Sequence, residues 1–223
     1  AEIAGLPMVQ RVWEGTRRAK SLRTVIVATD DERIARASRG FGAEVVMTGA
    51  HHPTGTDRLA EVAAALDDEI IVNVQGDEPL IEGFVIDAAV DALLAAPELP
   101  MATLVHAAEE SALDDPNRVK VVLDRHGDAL YFSRSRIPAL REASQVPRYW
   151  QHVGLYAYRR PFLLEFVALE RGPAERAESL EQLRALEHGH RIRCAVVEGR
   201  CSLPGDVPED VAPVEARLQE PRG

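Results

Sequence analysis

The chain has 223 residues, enough for one large α/β domain or two small ones, and its 46% hydrophobic content suffices for a buried core. A net charge of −10 argues against a nucleic-acid surface or an anionic membrane, while leaving room for a small anionic substrate bound locally through a metal. No apolar run approaches a membrane span and no signal-peptide pattern is visible, so a cytoplasmic protein is expected, with its two cysteines, Cys194 and Cys201, as free thiols.

Pro7 to Ala19 reads as a helix, with Met8, Val9, Val12, Trp13 and Thr16 on one face. The run Thr24 to Asp30 reads as a strand, and Asp30 or Asp31 can cap the helix that follows and ends at Gly40 or Gly42. Glu44 to Thr48 is the next strand. A polar loop, Gly49 to Arg58, then enters a helix carrying Leu59, Val62, Ala63 and Leu66. The N-terminus of that helix favours an anion, and Arg58 in its first turn opposes the helix dipole unless it has a ligand to meet.

The run Ile70-Ile71-Val72-Asn73-Val74-Gln75-Gly76-Asp77-Glu78-Pro79 organises the rest. Its β-branched start is long enough for a buried strand and too short for a helix. Gly76 permits a turn or close ligand approach, and Pro79 stops the ladder. Asp77 and Glu78 thus sit past the C-terminal end of a strand, where ligands bind in open α/β sheets. Asp77 is the chemical candidate, and Glu78 the one expected to bond the following turn; an ordinary turn after a strand remains the alternative. A helix from Glu82 to Ala95 follows. The strand–helix repetition predicts a parallel sheet flanked by helices.

After Pro97 the pattern turns to strands: Met101 to His106, Val119 to Asp124 and Ala129 to Ser133, the last two joined by a hairpin turn at Arg125-His126-Gly127-Asp128. Ala139 to Tyr149 reads as a mobile loop. Gln151 to Tyr158 alternates, with His152, Gly154 and Tyr156 on one face and Val153, Leu155 and Ala157 on the other. A face of His, Gly and Tyr suits a pocket. Pro161 to Leu169 reads as a helix, and Glu178 to His188 as another, which sets Glu178 and Gln182 one turn apart on one face. Ile192 to Val197 is a last strand. Pro208 and the acidic residues behind it start a C-terminal helix, with Asp206 before it as a cap or a ligand. The whole reads as one domain over residues 1–223, with a β-rich portion around 119–160.

No Walker-type phosphate loop, dinucleotide fingerprint, nucleophile elbow or zinc-protease motif is present. What remains is Asp77 and Asp206, each outside a strand end. Magnesium takes a few carboxylates plus substrate phosphates, which suits phosphoryl or nucleotidyl transfer.

The run Val72 to Pro79 resembles that of the 3-deoxy-manno-octulosonate (Kdo) cytidylyltransferases. So do Ile26-Val27-Ala28-Thr29-Asp30, Thr54-Gly55-Thr56-Asp57-Arg58, Lys120-Val121-Val122-Leu123-Asp124, Tyr131-Phe132-Ser133-Arg134, His152-Val153-Gly154-Leu155-Tyr156, Leu180-Glu181-Gln182-Leu183-Arg184 and Pro208-Glu209-Asp210. The matches are collinear over nearly the whole chain. The resemblance implies a Rossmann-like nucleotidyltransferase sheet, mostly parallel, with the β portion used for dimerisation. It implies a homodimer that makes CMP-Kdo and pyrophosphate from CTP and Kdo with magnesium, for lipopolysaccharide assembly. By carry-over, Asp77 and Asp206 hold magnesium and carry catalysis, and Thr54, Arg58 and Gln75 lie near the nucleotide. Arg134, His152, Tyr156, Glu178 and Gln182 line the sugar site, with an arginine fork suited to the Kdo carboxylate. Val207 stands where the family usually has threonine. The family also opens with a strand and a Pro-Ala-Arg…Lys-Pro-Leu loop that grips the CTP phosphates, and this chain begins after it. The chain by itself is therefore expected to be inactive and marginally stable. The rival readings are a CMP-sialic acid synthetase and a non-catalytic sugar- or nucleotide-binding remnant.

Overall fold

The computed structural model describes residues 2–142 and 147–198; the expected C-terminal helix, Asp206 and Cys201 lie outside them. Two compact units emerge, one built from residues 2–68 and 72–87, the other from 69–71 and 88–198.

The first unit opens with a small antiparallel pair, β1 (Glu2–Ile3) and β2 (Leu6–Pro7), turned through Ala4 and Gly5, both at positive φ. Then come α1 (Met8–Thr16), β3 (Ile26–Thr29), α2 (Glu32–Gly40), β4 (Glu44–Met47) and α3 (Gly55–Ala64). The first helix stops earlier than its apolar spacing predicts. The carboxylate of Asp87 captures the amides of Lys20 and Ser21 at 2.9 Å each, so the chain leaves helical geometry to reach it. Asp31 caps α2 by accepting the Arg33 amide at 2.7 Å. Strands β3 and β4 pair in parallel from Ile26↔Glu44 to Thr29↔Met47, as a strand–helix–strand pattern requires.

The chain continues through β5 (Ile70–Asn73) and α4 (Gly83–Leu94) into the second unit. There follow β6 (Met101–Ala107), β7 (Lys120–Leu123), β8 (Ala129–Ser133), β9 (Trp150–Arg159), α5 (Arg160–Phe166), α6 (Pro173–Glu178), α7 (Leu183–Glu187) and β10 (Ile192–Val196). The sheet order is β10-β6-β9-β7-β8, with β5 also paired to β9. This sheet is mixed: β10 runs parallel to β6, while β9 is antiparallel to β6 and β7, and β7 to β8. The β7–β8 hairpin turns where expected. Gly127 takes φ +82°, and the Asp124 carboxylate accepts the amides of His126 and Asp128 at 2.7 and 2.9 Å.

One expected helix does not form. Residues 178–188 are split into the end of α6 and the start of α7 by Ser179, which sits at φ 52°, ψ 47° in the left-handed region. Glu178 and Gln182 therefore do not share a helical face. The cause is tertiary: the Glu178 carbonyl and carboxylate and the Ser179 carbonyl are all drawn to Ser133 and Arg134 at the end of β8. Behind the break, Arg184 is buried and bonds Glu175, itself buried, at 2.7 and 2.8 Å. Among the described residues no helix is long and apolar enough to cross a membrane.

Candidate functional site

In the first unit, polar groups gather where α3 begins and where the chain leaves β5. Thr54 caps α3 by accepting the Asp57 amide at 3.2 Å, and donates its own proton to the Asp57 carboxylate at 2.6 Å. Gly55 faces the Gln75 amide closely: a Cβ on it would stand 3.3 Å from Oε1 of Gln75. Gln75 thus lies against the helix start. Its Nε2 donates to Asn73 at 3.3 Å, and buried Asn73 in turn donates to Thr56 at 3.4 Å. Arg58 turns back instead of entering solvent. It donates to the Thr48 hydroxyl and pairs with Asp30 at 3.2 Å. Asp30 therefore does not cap α2; it holds Arg58 at the ends of β3 and β4.

Asp77 lies in the turn after β5, half-buried. Its carboxylate forms no hydrogen bond or ion pair with any described residue. Glu78 fits its expected role through its backbone, donating to the Gln75 carbonyl at 3.3 Å and accepting from Ile81 at 3.0 Å.

In the second unit, the five residues expected to line a sugar site come together as two pairs, with Gln182 apart. Arg134 and Glu178 form the first. Arg134 spends its guanidinium on three backbone carbonyls: Glu178 at 2.7 Å, Pro116 at 2.9 Å and Ser179 at 3.3 Å. His152 and Tyr156 form the second, with ring centroids 5.4 Å apart in a row that continues to Phe132 on one side and Tyr158 on the other. The alternation along β9 holds: Val153, Leu155 and Ala157 are buried, whereas His152, Gly154 and Tyr156 are half-buried. The surrounding protein still desolvates both rings. Burial pushes the His152 imidazole from 6.5 down to about 3, so it is neutral, and raises the Tyr156 phenol well above its ordinary value. Gln182 is buried, and its Nε2 finds no hydrogen-bond partner among the described residues. A buried amide donor left without a partner is costly.

One rung of the sheet lies next to a member of each pair. Lys120 on β7 faces Ser133 on β8 and Gln151 on β9, so Arg134 and His152 each stand one residue beyond it. The Lys120 ammonium is fully buried and donates to the carbonyls of Arg134 at 2.6 Å and Asp115 at 2.8 Å; burial lowers its pKa.

Residues 1–192 match the family model described as cytidylyltransferase. The chain belongs to the cytidylyltransferase family. It is 52% identical to the 3-deoxy-manno-octulosonate cytidylyltransferase of Syntrophotalea carbinolica, with 98% of this chain and 91% of that protein covered. It is 47% identical to the 8-amino-3,8-dideoxy-manno-octulosonate cytidylyltransferase of Shewanella pealeana, over 98% and 90% of the two chains. A solved structure of CMP:2-keto-3-deoxy-manno-octonic acid synthetase complexed with CTP superposes with a TM-score of 0.93 at 42% identity, covering 98% of this chain and 90% of that one. The fold extends to 4-diphosphocytidyl-2C-methyl-D-erythritol synthase of Anaerococcus prevotii, with a TM-score of 0.65 at 14% identity.

No group of three or more His, Cys, Asp or Glu residues able to hold a metal occurs among the described residues, but magnesium asks only for one or two carboxylates and takes its other ligands from phosphate and water. The uncommitted carboxylate of Asp77 meets that requirement. Asp206, the second expected ligand, lies outside the described residues. Cys194 is a buried free thiol whose pKa burial raises to about 12, which keeps it unreactive.

Two residues of this cluster escaped notice in the sequence, Asp30 and Asn73. Asn73 had a local signal, a lone amide within a β-branched run, and Asp30 read equally well as a cap.

Proposed function

We propose that this cytidylyltransferase joins CTP to Kdo, giving CMP-Kdo and pyrophosphate. A hydroxyl oxygen of the sugar attacks the α-phosphorus of CTP, the bond to the β-phosphate oxygen breaks, and pyrophosphate leaves as the hydroxyl proton is lost. The observation that carries the reading is the β9 face, with a neutral His152 beside a protonated Tyr156, their ring centroids 5.4 Å apart. Neutral donors and acceptors suit the hydroxyls of a sugar. The name borne by the relative at 52% identity supports Kdo as the sugar, and the relative at 47% is named for its 8-amino analogue.

In the first unit, the start of α3 with Thr54 and Gln75 would receive the nucleotide, since the positive end of a helix dipole favours phosphate. Arg58, steadied by Asp30, adds positive charge there. Asp77, with Asp206, would hold magnesium. When bound, that ion neutralises phosphate charge and orients the triphosphate for displacement. In the second unit Arg134 and Glu178 shape the sugar side by fixing the main chain, and His152, Tyr156 and Gln182 supply hydrogen bonds.

The test is pyrophosphate release from CTP with Kdo, its 8-amino analogue or sialic acid as acceptor. Release with Kdo above the other two supports the reading, and release with sialic acid alone refutes it. Asp77→Asn should abolish turnover while leaving the melting temperature within about 1 °C, because a surface substitution that breaks no bond changes stability little. Retention of substantial activity would remove Asp77 from the metal site.

A further inference from the structure

His152 meets a hydroxyl on the neighbouring strand. Thr103 on β6 is fully buried and sits where the β6–β9 register slips. Thr103 faces Tyr156 and Leu104 faces Val153, so Gly154 and Leu155 bulge between them. The Thr103 hydroxyl oxygen lies 2.8 Å from the Leu155 carbonyl oxygen, 3.1 Å from that of Val153, and 3.0 Å from Nε2 of His152.

A hydroxyl has one proton and two lone pairs. The two carbonyls only accept, so the proton is directed at them. A lone pair is left for Nε2, which must then donate. A neutral imidazole has a single N–H, so Nδ1 is the bare nitrogen. The other tautomer would draw the hydroxyl proton to Nε2 and withdraw it from both buried carbonyls, an unfavourable exchange. Among the described residues Nδ1 has no hydrogen-bond partner, and the ring is only half-buried.

We infer that Thr103 is a positioning residue for sugar use: it holds His152 with the proton on Nε2, so that Nδ1 is presented as an acceptor to one hydroxyl of the sugar acid. The inference rests on the reading that the β9 face receives the sugar, and it adds the polarity of the contact, with the substrate donating. It also assigns a use to the bulge. Without the slip in register the Thr103 hydroxyl would not meet two carbonyls at once, and the tautomer would be free to exchange.

The test joins a spectroscopic and a kinetic measurement. Imidazole nitrogen NMR of the substrate-free protein at pH 7, with the His152 signals assigned by their loss in His152→Gln, should show Nε2 protonated and Nδ1 bare. Thr103→Val should move the ring towards a mixture of tautomers, and Thr103→Ser should keep the wild-type pattern. In turnover, Thr103→Val should raise KM for Kdo roughly ten-fold, the effect of one weakened hydrogen bond, with KM for CTP unchanged, and Thr103→Ser should restore it. A merely structural threonine would lower the folded fraction, and so kcat, without separating the two KM values. Protonated Nδ1 in an enzyme that uses Kdo overturns the inference alone, as does a Thr103→Val ring with the wild-type tautomer. A wild-type enzyme that ignores Kdo while carrying the proton on Nε2 overturns the functional reading, and the sugar contact with it.

Discussion

Arg134 and Glu178 grip one another through the main chain rather than charge to charge. The Arg134 Nε donates to the Glu178 carbonyl at 2.7 Å, and the Glu178 carboxylate accepts the Arg134 amide at 2.9 Å and the Ser133 hydroxyl at 2.6 Å. This brace holds Ser179 left-handed and ends α6. Arg134→Ala should therefore lower stability by about 2–4 kcal/mol, since several charge-assisted bonds are lost at once. It should also raise KM for Kdo far more than KM for CTP. Arg134→Lys should rescue little, because one ammonium cannot reach three carbonyls with the arginine fork's geometry. Calorimetric melting and steady-state kinetics check both parts, and an Arg134→Ala protein of wild-type stability would refute the brace.

Arg58 depends on Asp30 for its place. The pair stands at 3.2 Å, with the Thr48 hydroxyl as a further acceptor. Asp30→Asn removes the charge and leaves the shape. It should raise KM for CTP several-fold with little change in KM for Kdo, and shift stability by no more than about 1 kcal/mol, the scale of a partly exposed ion pair. An unchanged KM for CTP would return Asp30 to a role in the turn alone.

Glu175 ties stability to acid. Burial on its own raises this carboxyl; the hydrogen bonds from Arg184 and Arg171 outweigh that effect and hold it below its ordinary 4.5. A lowered folded pKa contributes stability that is complete above the unfolded value and is lost as pH falls through the folded one. The melting temperature should therefore fall with acid below about pH 4.5, and Glu175→Gln should flatten that fall. Arg184→Met should cost about 2–3 kcal/mol at pH 7, because the buried carboxylate loses two charge-assisted bonds and keeps only Arg171. Melting curves from pH 3 to pH 7 decide it.

His152 acts over a higher window. Its folded pKa, pushed down to about 3, lies below the ordinary 6.5. As pH falls from 6.5 the unfolded chain takes up the proton first, so stability is complete above 6.5 and erodes down to about 3. The slope from one such group is at most about 1.4 kcal/mol per pH unit, and less where solvent reaches the ring. His152→Gln should reduce the loss between pH 6.5 and pH 4; an unchanged slope would mean that the ring is already charged in the fold.

Nearest-neighbour chemistry was legible from the residues alone. Caps and turns depend on groups two or three positions apart, so Asp31 and Gly127 were readable where they stand. The apolar run from Ile70 with Gly76-Asp77 behind it likewise placed a carboxylate beyond a strand end, and the alternation along β9 separated its polar face from its buried one. Partners far apart in the chain were not legible. The segment around Glu178 had the spacing of a helix, but Arg134, 44 positions earlier, offered its backbone carbonyls and carboxylate better bonds than helical ones. Asp30 looked like a cap until Arg58 reached it. Thr103 gained a role only when a slipped register set its hydroxyl between His152 and two carbonyls. Periodicity records which face of an element is buried; it carries no record of which polar group waits on the other side, and that group sets the proton on His152 and the break at Ser179.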